Sequence, residues 1–116
     1  MPSPTEALEK LLGGPRDGAL LRYSLGNEYF KAGEFQRAAQ MLATALEKDA
    51  HYSAAWKLLG KTHEKAGDGA AAIAAWRRGM EVAEARGDIQ AAKEMRVFAR
   101  RLERQAGAAG APHEDD

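Results

Sequence analysis

The sequence predicts an all-α chain: a right-handed α-α superhelix of two stacked helix-turn-helix units, with a short helix before them and a longer capping helix behind. Three observations carry this. Leu25-Gly26-Asn27-Glu28-Tyr29-Phe30-Lys31-Ala32-Gly33-Glu34 returns 34 residues later as Leu59-Gly60-Lys61-Thr62-His63-Glu64-Lys65-Ala66-Gly67-Asp68. A period of that length marks helical hairpins that cannot bury their own apolar stripe and must stack on a neighbour. Phe35, Ala38, Ala39, Leu42, Ala45 and Leu46 recur at three- and four-residue spacing, which is the stripe of an amphipathic helix. Gly33, Gly67 and Gly87 fall between the periodic segments, where a left-handed residue ends a helix.

Taken in order, Ser3-Pro4-Thr5-Glu6 reads as a helix start, with Ser3 as N-cap, Pro4 where its missing N–H costs nothing and Glu6 closing a capping box. Leu8, Leu11 and Leu12 give this short helix of about ten residues one apolar face, and Gly13-Gly14-Pro15 stops it. Asp17 is expected to cap a helix reaching about Ala32, and Glu34 starts its partner, which ends near Asp49. In the second unit Ser53 is expected to cap a helix reaching about Ala66, and another runs from about Gly69 to Arg86. The units therefore span about 19–52 and 53–86. The last helix, about 88–105, puts Ala91, Met95, Phe98 and Leu102 on one side. Continuing the repeat would require Leu-Gly at Lys93-Glu94, so this helix reads as a terminal cap and not as the start of a third unit. Residues 1–105 form one domain on this reading. Residues 106–116, ending Glu114-Asp115-Asp116, lack apolar bulk and read as a disordered acidic tail.

Composition narrows the function classes. The chain has 116 residues, enough for one small domain and not for two. Seventeen basic residues balance seventeen acidic ones, so no global field draws the molecule to nucleic acid or an anionic membrane. With no cysteine, disulfides, thiolate catalysis and cysteine-ligated zinc are excluded. No basic segment followed by an apolar run opens the sequence and no stretch approaches membrane-spanning length, so a cytoplasmic protein is expected.

The repeated residues resemble the tetratricopeptide repeat, whose pattern is Trp-x2-Leu-Gly-x2-Tyr, then Ala-x3-Phe, then Pro. Trp56, Leu59, Gly60, Ala72 and Trp76 match in the second unit, and Leu25, Gly26, Tyr29, Ala38, Leu42 and Ala45 in the first. Arg22 stands where a Trp is expected, His63 replaces Tyr, Gly79 replaces Ala, and the closing Pro is missing at Ala50 and Glu84. The resemblance covers about residues 19–86. It implies that the first helices of successive units line a concave groove for a peptide or partner helix. By register, the groove residues are Leu20, Tyr23, Asn27, Phe30 and Lys31, then Ala54, Lys57, Lys61, Glu64 and Lys65. Lys57, Lys61 and Lys65 form one basic ridge, and Tyr23 and Phe30 are aromatics outside the helix's own packing stripe. Aromatic anchors beside cations suit an acidic or carboxylate-ended peptide. The carboxylate clamp that some family members use for chaperone tails is not expected, because only Asn27 matches it.

An adaptor role follows, with no cofactor. His51, His63 and His113 form no ligand pair on one helix, so no metal site is expected, and His63 reads as a buried, hydrogen-bonded packing residue. Phosphate-loop and nucleophile-elbow motifs are missing from the sequence, so the chain is not expected to be an enzyme. The alternatives are nucleic-acid binding through Lys93, Arg96, Arg100, Arg101 and Arg104 of the last helix, or self-association as a weak homodimer through Met95, Phe98 and Leu102 of the same helix.

Overall fold

A computed structural model describes residues 2–110. These form six α-helices and no strand: α1 Pro4–Glu9, α2 Ala19–Lys31, α3 Phe35–Lys48, α4 Ser53–Lys65, α5 Gly69–Arg86 and α6 Ile89–Gly110. The expected Ser3–Glu6 capping box is present. α1 nonetheless stops at Glu9, earlier than expected, because the following N–H groups of Leu11 and Leu12 bond three residues back, to Leu8 and Glu9, in tightening turns. α6 runs five residues past Gln105, so the expected tail is helical through Gly110. Residues 111–116 lie outside the described residues.

Two expected caps act differently. Gly18 occupies the N-cap of α2, and Asp17 instead accepts a bond from the Gly13 N–H at 2.9 Å and a two-pronged pair from Arg22, both bonds 2.8 Å. Tyr52 precedes α4 as its N-cap, so Ser53 is the first helical residue; it is buried and donates to Asp88 at 3.4 Å. Arg22 and the Gly13 N–H hold the Asp17 carboxyl well below the usual carboxylate range. A carboxyl depressed in the folded state stabilises fully above its unfolded value of about 3.9, and that contribution is lost as pH falls through and below it. Asp17→Asn is therefore expected to lower the melting temperature at pH 7 and to flatten its decline between about pH 5 and pH 3, as read by circular dichroism.

Glycines set how closely the layers approach. A Cβ at Gly26 would sit 2.7 Å from Leu42 Cγ, and one at Gly60 would overlap the indole of Trp76. Trp76 is fully buried and its Nε1–H donates to the Lys57 carbonyl at 3.1 Å. Three apolar clusters follow along the stack: Leu21, Leu25, Tyr29 and Ala38 under α1; Leu42, Leu46, Ala55, Leu58, Leu59 and Ala75 in the middle; and Ala72, Trp76, Ala83, Ala92, Met95 and Ala99 under α6. The first lies within the α2–α3 hairpin, whereas the middle and last draw on helices of successive units, which is why the hairpins must stack.

The stacking defines two layers. The backbones of α2 and α4, and of α4 and α6, approach closely, whereas those of α3 and α5 stay further apart. The layer whose helices meet lies on the inside of the curve, so α2, α4 and α6 line the concave face. α6 packs on α5 and touches α4, as α4 packs on α3 and touches α2. It therefore caps the last hairpin as expected, and does so in the position that a third unit's first helix would hold. The 34-residue arithmetic misses this because α5 has 18 residues against 14 for α3, which delays the next inner helix.

Candidate partner-binding groove

The inner face is laid out in levels along three parallel helices. Between α2 and α4, a cleft of about 150 Å³ is lined by Tyr23, Ala54, Lys57, Leu58 and Lys61. Tyr23 is held at its edge by Tyr52, their ring centroids 5.0 Å apart, and Leu58 is buried beneath. Burial raises the pKa of the Tyr52 hydroxyl, the nearby Tyr23 and Asp49 adding to the shift. Leu20 stands 69% exposed near the start of α2, three residues before Tyr23. Asn27 is half-buried one turn further on.

Other expected groove residues are placed differently. Phe30 meets Phe35 edge-on at 5.6 Å and packs against two core clusters, so it belongs to the core. Its ring lies on the α2 side that turns toward α3, a direction that spacing on α2 alone does not reveal. Lys31 pairs with Glu28 at 2.9 Å. His63 is half-buried at an open cleft beside Phe35, Gln36 and Asp68 and makes no side-chain hydrogen bond among the described residues, unlike the buried packing residue expected.

The third wall comes from α6. Lys57 pairs with Glu94, the Lys61 ammonium sits 5.2 Å from the Phe98 ring centroid, and Arg101 reaches Glu64 at 3.4 Å. All three contacts join residues 37 positions apart, the mark of two helices running side by side in constant register. Lys57, followed by the Gln90 amide at 3.3 Å, holds the Glu94 carboxyl below its ordinary value. The lysine ridge is thus not uniform. Lys57 is neutralised and Lys61 faces a ring, so Lys61 and Lys65 are the α4 groove cations without a carboxylate partner among the described residues. Sequence reasoning missed Glu94, Phe98 and Arg101 as groove residues, although a 37-residue shift from Lys57, Lys61 and Glu64 finds them.

Of the five cations that nominated α6 for nucleic acid, Arg96 pairs with Glu84 at 2.9 Å and Arg101 with Glu64. Met95 is fully buried, and Phe98 and Leu102 pack against the core within one chain.

The sequence profile of the tetratricopeptide repeat matches residues 29–95. The chain belongs to the tetratricopeptide repeat family. A TPR repeat-containing protein of Pseudomonas aeruginosa is 52% identical over 99 residues, covering 85% of this chain and 94% of that one. The solution structure of a Bordetella parapertussis protein superposes with a TM-score of 0.84 at 43% identity over 100% of both chains. A tetratricopeptide repeat domain protein of Salinibacter ruber superposes with a TM-score of 0.70 at 26% identity, covering 75% of this chain and 88% of that one. Tetratricopeptide repeats are in general protein–protein interaction modules.

Two departures from the repeat pattern now have physical reasons. A Cβ at Gly79 would lie 2.7 Å from Trp56 Cβ and would crowd the Met95 sulfur, so the glycine admits α4 and α6 together. Arg22, at the Trp position of the first repeat, ties α2 to the preceding turn through Asp17. Among the described residues no helix is long and apolar enough to cross a membrane, and no group of three potential metal ligands comes together.

Proposed function

We propose that this TPR protein is a non-catalytic interaction module that binds an acidic peptide on its concave face, with an apolar side chain of the ligand in the Tyr23 cleft. The observation that carries this reading is the junction of that cleft with Lys61, a groove cation with no carboxylate partner among the described residues. A rigid aromatic edge beside an available ammonium is the pairing that anchors a peptide and selects its charge. Among the described residues, those lining the groove do not gather a nucleophile, a base and an oxyanion site, as acyl-transfer chemistry would need.

The test is quantitative capture from a lysate of the source organism. Tyr23→Ala is expected to reduce capture of the specific partner about tenfold, in the range of an aromatic anchor's loss. Lys61→Gln is expected to reduce it less and to weaken its salt dependence. Lys93→Gln with Arg100→Gln, on the outer side of α6, is expected to leave capture unchanged. Loss of capture in the outer-face variant with retention in both groove variants would overturn the reading.

A further inference from the structure

Glu94 is hydrogen-bonded to Lys57 at the level of Tyr23, while one turn along the groove Lys61 sits over the Phe98 ring and feels the Glu94 charge without a hydrogen bond to it. A ligand carboxylate arriving at Lys57 must displace Glu94 or sit beside it against like-charge repulsion; at Lys61 no carboxylate is already paired and the Glu94 charge acts only from further off. The next cation on α4, Lys65, is exposed and lies a further turn along. We infer that the groove reads the order of its ligand, taking the apolar residue level with Tyr23 and the carboxylates at Lys61 and Lys65, with Glu94 as the internal carboxylate that sets this register. The inference rests on the reading of the concave face as a peptide site.

The spacing of these levels specifies the ligand further. Lys57, Lys61 and Lys65 step by four residues, about 6 Å per step along the helix axis. An extended peptide repeats its side-chain direction every two residues, about 6.6 Å. An extended chain lying along α4 therefore places positions one, three and five of a stretch on successive levels. The fitting class is apolar-x-acidic-x-acidic, read in either chain direction. A partner helix would need the same groups four residues apart.

The probes are capped synthetic heptapeptides with serine at the odd positions. Positions two, four and six carry leucine, aspartate, aspartate in the first, aspartate, aspartate, leucine in the second, and aspartate, leucine, aspartate in the third. All three have the same composition and charge. Affinities come from backbone amide shift titrations of the full-length protein at low ionic strength. One of the terminal-leucine peptides is expected to bind about threefold to tenfold more tightly than the central-leucine peptide, the scale of one partly screened charge contact. Glu94→Gln is expected to shrink that ratio toward one by tightening the central-leucine peptide, and to leave the melting temperature nearly unchanged, since a partly exposed ion pair contributes little to stability. Lys61→Gln is expected to weaken the preferred peptide.

Equal affinity for all three peptides, with shifts that still map to Tyr23 and Lys61, would remove the ordered register and leave the groove reading standing. Binding by a longer peptide with leucine, aspartate and aspartate at successive four-residue steps, and by none of the three heptapeptides, would do the same in favour of a helix. If none of the peptides shifts the concave face, both readings fall.

Discussion

Trp76→Ala is expected to remove about 3–5 kcal/mol of stability, the range for emptying a buried large aromatic site. Trp76 is fully buried, fills the space that Gly60 opens, packs against Phe98 at 5.4 Å and donates its indole N–H to the Lys57 carbonyl. Truncation opens a cavity between α4, α5 and α6 and leaves a carbonyl without its donor. For a domain with about 5–15 kcal/mol in total, that is a large share of what keeps it folded. A drop in melting temperature of roughly 15 °C or more follows for a chain of this size. A coupled measurement separates the glycine from the indole. Gly60→Ala is expected to destabilise the native protein because its methyl overlaps the Trp76 ring, and to be nearly neutral where residue 76 is already alanine. Equal costs in both backgrounds would show that the two positions do not share one packing site. A Trp76→Ala loss below about 1 kcal/mol would mean that the core is held elsewhere.

The same pair of residues explains what was legible beforehand. Both ends of α5 were readable, since Asp68 accepts from the Ala71 N–H and Gly87 takes the left-handed conformation that a glycine adopts without a Cβ clash. Gly26 and Gly60 were readable as repeat positions because the period selects both, whereas Leu42 and Trp76 as the side chains that fill the space beside them emerge only in the structure. Periodicity reports which side of a helix is apolar, not which neighbour will face it. Phe30 therefore read as a groove aromatic although its ring turns toward Phe35. Likewise Asp17 and Ser53 read as caps, although their side chains bond Arg22 and Asp88. The groove's third wall was hidden for a more specific reason. A 34-residue step from Gly60 lands on Glu94, whereas the inner helices pair at a 37-residue offset that depends on α5 being a turn longer than α3. The identity of Glu94 as the partner of Lys57 thus depends on a helix length, and a charge count along α4 alone overstates the basic ridge.

Ending the chain at Gly87 is expected to abolish cooperative folding. α6 covers Ala72, Trp76 and Ala83 with Ala92, Met95 and Ala99, and without it the last hairpin presents that cluster to water. A tryptophan buries about 150–250 Å², and at about 25 cal/mol per Å² baring most of it costs about 4 kcal/mol before the alanines are counted. The cut also removes Glu94 from Lys57, Glu103 from Arg77 and Asp88 from Ser53, each a smaller contribution at a partly exposed site. Together these approach the low end of the stability a small domain has to lose, and two repeats alone fall short of the three or so needed to close a helical stack. A chain ending at Gln105 is the matched control. It keeps Met95, Phe98, Ala99 and Leu102, and the side chains at positions 104 to 107 are all exposed, so its melting temperature is expected to stay within a few degrees of the full-length value. Thermal melts with sedimentation velocity read both outcomes. A Gly87-terminated chain that remains monomeric and melts cooperatively at the full-length midpoint would show that α6 serves the groove alone and contributes nothing to holding the repeats together.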